Sequence, residues 1–160
     1  MDDSITHFAT VARSFCAWAE AQPGAVEAEA KMALRLLADL SSAIMATPSL
    51  GRCEVVEGER ISDKEWKDIY RRFGSLPFNY YSTFFNPTKV NEDESVVGDL
   101  ADDLADMYRD IKDGLRLYDH GHIAEAVWSW RNSFQTHWGR HATNALYVLH
   151  TWWADESIEI

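Results

Sequence analysis

The residues best suited to chemistry lie in two short stretches: "VVGDLADDLADMYRDIKD" at 96–113, with six aspartates, and "HWGRH" at 137–141, with two histidines four apart. Carboxylates and imidazoles are the oxygen and nitrogen donors that hold divalent cations. A row of carboxylates alone serves instead as a contact surface for a basic protein. Aspartate forms helix less readily than glutamate at the same charge, so its sixfold use in one helical pattern asks for a positional reason.

Stepping each residue about 100° round a helix gathers Val97, Leu100, Leu104, Met107, Tyr108, Ile111 and Leu115 on the buried side. Asp99, Asp102, Asp103, Asp106, Asp110 and Asp113 share one arc of about 100° on the same wheel. The like charges at 99/103, 102/106 and 106/110 each oppose the helix by about 0.2–0.5 kcal/mol, and the offset can come from the helix amino terminus for the first acids, from screening by water, or from cations opposite them. Arg109 and Arg116 are spaced to pair with Asp106 and Asp113. The last helix offers Arg131, His137, Arg140 and His141. A turn centred between His120 and Gly121 places Asp99 level with Ala142, Asp103 with Trp138 and Asp110 with Arg131 in an antiparallel pair.

Two readings follow. In one, Asp99, Asp103, His137 and His141 form a divalent metal site between facing helices; the Glu-x-x-His pairs of di-iron bundles and the His-Glu-x-x-His of zinc proteases are both missing. In the other, the imidazoles and guanidiniums form a charge-compensating seam against the acids, with no cofactor. Gly139, in mid-helix at a cost of about 1 kcal/mol relative to Ala, points to close approach by another backbone or a ring. No nucleophile elbow and no phosphate-cradling glycine loop can be picked out.

The elements that must position these groups are helical. Ile5, Phe8, Ala12, Phe15 and Trp18 give a helix over Ser4–Ala21, ended by "QPG". Val26, Ala30, Ala33, Leu34, Leu37, Leu40 and Ile44 give a second, closed by Pro48. Residues 48–61 read as loop, with Glu57 and Glu59 solvated. "SDKEW" at 62–66 is a capping box that opens a short helix to Phe73. "GSLPFNYYSTFFNP" supplies five aromatics outside regular helix, read as a clasp over the core. A helix over Ser95–Tyr118, a stop at Gly121 and a final helix over Ile123–Trp153 complete the expectation: an all-α bundle of four principal helices, a short helix and an aromatic loop, in a single domain over 1–160.

The chain has 160 residues, 46% hydrophobic and 12% aromatic with seven Trp, a composition that folds. Its net charge of −11 argues against nucleic acid and anionic membrane as partners and favours a basic protein surface. Cys16 and Cys53 show no metal or disulfide spacing. No signal-peptide pattern or long apolar run occurs, so the expected location is cytoplasmic.

"VVGDLADDLADMYRDIKDGLRLY" and "AVWSWRNSFQTHWGRHATNALYVLH" resemble an uncharacterised bacterial domain of unknown function, helical throughout, with an acidic "LADDLADMYRD" core followed by "HWGRHA". The resemblance spans about a third of the chain, extends more loosely to "FCAW" at 15–18, and implies fold and bacterial origin without an activity. Members carry an acid before the proline of the clasp, where this chain has Asn86 before Pro87. "GDLADDLAD" is also distantly similar to the second motif of all-α nucleotide pyrophosphohydrolases. Their first motif is missing, since Glu27 and Glu29 stand two apart and do not share a helix face.

The leading expectation is a protein-binding regulator or immunity-type inhibitor. Its contact surface would comprise Asp99, Asp102, Asp103, Asp106, Asp110, Arg131, Arg140, Tyr80, Phe84 and Trp138. The alternatives are a metal-dependent hydrolase at Asp99, Asp103, His137 and His141, and a small-molecule pocket walled by Trp128, Trp138, Tyr80 and Phe84.

Overall fold

A computed structural model of the chain describes residues 2–53 and 60–156; Glu57 and Glu59 of the expected loop lie outside them. The fold is a helical bundle with one small hairpin: α1 (Asp3–Glu20), α2 (Val26–Ala46), α3 (Asp63–Phe73), β1 (Tyr80–Thr83), β2 (Val96–Asp99), α4 (Leu100–Asp119), α5 (Ile123–Ser133) and α6 (Gly139–Asp155). A single π-helical turn, Phe134–Trp138, joins α5 to α6. The fold class and the short capped helix match the sequence reading. Among the described residues, no helix is long and apolar enough to cross a membrane.

Local chemistry sets the helix ends. Asp2 caps α1 by accepting from Ser4 N at 2.9 Å, and Ser62 with Glu65 closes a reciprocal capping box on α3. Pro48 stops α2 just beyond Thr47. Gly121, at φ +85°, takes the left-handed conformation after α4, and His122 N donates back to Leu117 O at 3.0 Å. Phe8, Phe15, Leu37, Leu40, Leu104, Met107, Ile111, Trp130 and Trp138 are fully buried in one continuous core.

Two expectations fail at element boundaries. The aromatic stretch is not loop throughout: Tyr80–Thr83 pairs antiparallel with Val96–Asp99, and α4 therefore starts at Leu100 rather than Ser95. Val96 and Val97 are β-branched and favour the strand, and Asp99 ends it as the α4 N-cap. Val97, expected in the core, faces outward at 77% exposure opposite Ser82, and Val26, at the first turn of α2, is also exposed.

Candidate metal centre

Asp106 of α4, His137 of the π turn and His141 of α6 bring one ligand atom each within 4.8 Å of the others. Asp106 Oδ2 lies 3.5 Å from His137 Nε2 and 3.8 Å from His141 Nε2. Each donor is held by its opposite atom. His137 Nδ1 meets Asp110 Oδ2 at 2.7 Å, and His141 Nδ1 meets Asp103 Oδ1 at 2.6 Å. Carboxylates only accept, so both Nδ1 atoms carry a proton, and in the neutral rings the Nε2 lone pairs converge on Asp106. Asp106 Oδ1 in turn accepts from Trp66 Nε1 at 2.8 Å and from Arg109 at 2.6 Å.

The surrounding elements exist to place these supports. The hairpin's inner face lays Tyr81 on Asp103, its hydroxyl donating to Asp103 Oδ2. Gly98 opposite makes room, since a Cβ there would sit 2.3 Å from the Tyr81 ring. α3 delivers Trp66 to Asp106 and Tyr70 to Asp99, the latter at 2.9 Å. The π turn sets the azimuth of His137. It rests on Gly139, whose absent Cβ would lie 2.3 Å from Phe134 O and 2.9 Å from the Phe134 ring. The close approach read from this glycine is thus made by its own preceding turn. One π turn adds a residue to the coil and is a frequent device at functional sites.

Charge is unevenly spread. Burial disfavours the charged form of His141, but its hydrogen bond to Asp103 and the fields of Asp103, Asp106 and Asp102 outweigh this and raise its pKa. The Tyr81 phenol is pushed well above its ordinary value by burial and by Asp103, so it stays a donor. Asp102 has its pKa raised by burial first and then by Asp106, Asp99 and Asp103, with His141 partly offsetting. Since ionised Asp102 is penalised more in the folded than in the unfolded chain, Asp102→Asn is expected to stabilise the metal-free protein at neutral pH. The scale is about 0.5 kcal/mol, that of a like-charged i,i+4 pair. The gain should fade as pH falls through the raised pKa, where the native carboxyl is already neutral. Thermal unfolding across pH measures it, and an unchanged neutral-pH midpoint would contradict the repulsion.

The sequence-derived residues divide as follows. Asp103, His137 and His141 come together. Asp99 does not join them, because its oxygens cap α4 (Ala101 N at 3.1 Å, Asp102 N at 3.2 Å) and accept from Tyr70. Asp106 completes the cluster with the two imidazoles in place of Asp99, and Asp103 and Asp110 stand behind the imidazoles. Arg131 turns away to the end of α2, donating to Ile44 O and Thr47 O. Arg140 lies over the Phe85 ring at 5.1 Å. Trp138 is core, fully buried, with Nε1 on Trp130 O at 3.2 Å. Tyr80 and Phe84 are exposed on the hairpin and beyond it. The pocket of Trp128, Trp138, Tyr80 and Phe84 therefore does not form. Arg109 does pair with Asp106; Arg116 binds Glu65 at 2.9 Å and its charge also acts on Asp113, which accepts from Ile61 N at 2.8 Å.

Asp103 faces His141 rather than Trp138, and Asp110 faces His137 rather than Arg131, because a helical side chain leans towards the amino end of its own helix. In an antiparallel pair the acids lean away from the connection and the histidines lean towards it, so partners lie further along the chain. The supports missed in the sequence are Trp66, Tyr70 and Tyr81. The only signal was generic: half-buried indole and phenol groups need a hydrogen-bond acceptor.

Residues 1–155 match the domain of unknown function DUF5063. The chain belongs to this family. Among solved structures, protein BF1032 from Bacteroides fragilis shares the DUF5063 chain's fold, with a TM-score of 0.79 at 21% identity over 93% of this chain and 91% of that one. No curated protein matches the chain.

Proposed function

We propose that this DUF5063 chain binds a divalent first-row transition metal through Asp106 Oδ2, His137 Nε2 and His141 Nε2 and acts as a metal-dependent hydrolase. The observation that carries the reading is that every donor is held in place through its non-donor atom. Carboxylates sit behind both imidazoles, and an indole and a guanidinium sit behind the carboxylate. Two imidazoles and one carboxylate suit zinc, manganese or iron(II), and three protein ligands leave positions for water and substrate. A metal held this way supplies an activated water. The chain's part is to orient the donors and to keep Asp102, half-buried beside Asp106, available as a proton acceptor.

The test is titration of the chelator-treated protein with zinc and manganese. One equivalent should bind with proton release, because the raised His141 pKa favours the imidazolium, whose Nε2 proton must leave before that nitrogen can ligate. Affinity should climb as pH rises through the raised His141 pKa. No saturable binding of either ion would remove the proposal. A second reading, a regulator of a basic protein, is favoured by the exposed outer side of the hairpin region, where Tyr80, Phe84, Phe85 and Val97 stand on a strongly acidic molecule. That reading requires no metal, so the same titration separates the two.

A further inference from the structure

We infer that the cavity between the end of α2 and the α5–π segment is a separate binding site for a small aromatic carboxylate. It holds about 510 Å³, within the range of ligand pockets. Trp128 and Phe134 give it flat walls, and Ile44, Met45 and Leu50 complete an apolar side on which Met45 is 69% and Leu50 46% exposed. The polar side is chemically one-signed: Arg52 and Arg131 line the cavity, and no Asp or Glu does among the described residues. In a chain with 26 acids against 15 Lys and Arg, a cavity lined by two guanidiniums and, among the described residues, by no acid stands apart from the rest of the surface.

The two arginines have different tasks. Arg131 donates to Ile44 O and Thr47 O, so its charge is partly spent on the negative end of the α2 dipole, and it is fixed there. Arg52 has no hydrogen bond or ion pair among the described residues, and its planar fork suits a carboxylate. Asn132 and Gln135 add neutral amides on the same wall. An aromatic ring against Trp128 with its carboxylate on Arg52 satisfies both sides at once; a cation would find no acidic partner among the described residues.

Benzoate, benzamide and benzylamine serve as probes that share a ring and differ in charge. Binding is read from the indole N–H resonance of Trp128, assigned by Trp128→Phe. Benzoate should shift that resonance saturably at millimolar concentration, with benzamide about tenfold weaker and benzylamine weaker still. Arg52→Gln, an exposed substitution, should bring benzoate down to the benzamide level while the other indole resonances stay in place. Equal affinity for benzoate and benzamide, full benzoate binding in Arg52→Gln, or no saturable shift would each overturn the inference. The readout involves neither metal nor the histidines, so it stands or falls independently of the metal centre.

Discussion

Glu29→Ala is expected to destabilise the protein by about 3–5 kcal/mol, the cost of leaving a buried partner charge uncompensated. Glu29 and Arg72 form an ion pair at 2.6 Å, with side chains only 9% and 8% exposed. Glu29 also accepts from Trp18 Nε1 at 2.9 Å and from Gly24 N at 2.8 Å, tying α1, the "QPG" turn and α2 together. The Arg72 guanidinium lies over Trp18 at 4.8 Å and Phe73 at 5.1 Å, and its Nε donates to Ala21 O at 3.1 Å. Without Glu29 that guanidinium keeps its burial and loses its counter-charge. Urea unfolding at neutral pH measures the loss, and Glu29→Ala combined with Arg72→Met should lose less than Glu29→Ala alone. A single variant within 1 kcal/mol of the native chain would refute the account.

The same pair sets a pH dependence. Burial would raise the Glu29 pKa, but the Gly24 amide, Arg72 and Trp18 together lower it. A carboxyl whose folded pKa lies below its unfolded value stabilises the fold above the unfolded pKa and loses that contribution as pH falls through the folded one. Acid unfolding should therefore be less steep in the double variant. Glu29, the nearest candidate for a pyrophosphohydrolase first motif, is committed to this internal pair and is not free to hold an ion.

The second large effect is at the proposed metal centre. His137→Ala and His141→Ala each remove one of three donors and should cost zinc affinity well beyond the roughly 10–100-fold typical of supporting groups. Asp103→Asn should fall inside that 10–100-fold range, because the amide oxygen can still accept from His141 Nδ1 but carries no charge to raise the basicity of the ring. Competition against a chromophoric chelator gives the order, and thermal unfolding without metal shows whether each variant is folded. His141→Ala has its own signature in the metal-free state. The imidazole's pKa is raised in the folded chain, so its pairing stabilises fully below the unfolded pKa and fades as pH rises through the folded one. The variant should lack that decline. Zinc affinity unchanged across the series would place any metal elsewhere.

The legibility of the site followed the range of the interactions involved. The aspartate stripe, the i,i+4 histidines and the need for cations opposite the acids were readable because helical periodicity is a local property of the chain. Placing Asp106 rather than Asp99 or Asp103 against the Nε2 atoms depended on non-local facts, among them that β1 pairs with residues 96–99 and turns Asp99 from a stripe member into a cap.

By itself, the sequence determined the helical bundle, the capping box at Ser62, the stop at Gly121 and the meeting of acids with histidines. Each of these depends on residues within one or two helical turns or on the alternation of apolar and polar faces. Tertiary structure alone decided which carboxylate faces the Nε2 atoms, that Arg131 and Trp138 leave the acidic face, and that Trp66, Tyr70 and Tyr81 fix its carboxylates. Those outcomes turn on the azimuth set by one π turn, on the lean of side chains across an antiparallel pair and on a hairpin closed over Gly98. A shift of one residue there moves a side chain by about 100° round its helix, and nothing local in the chain records it.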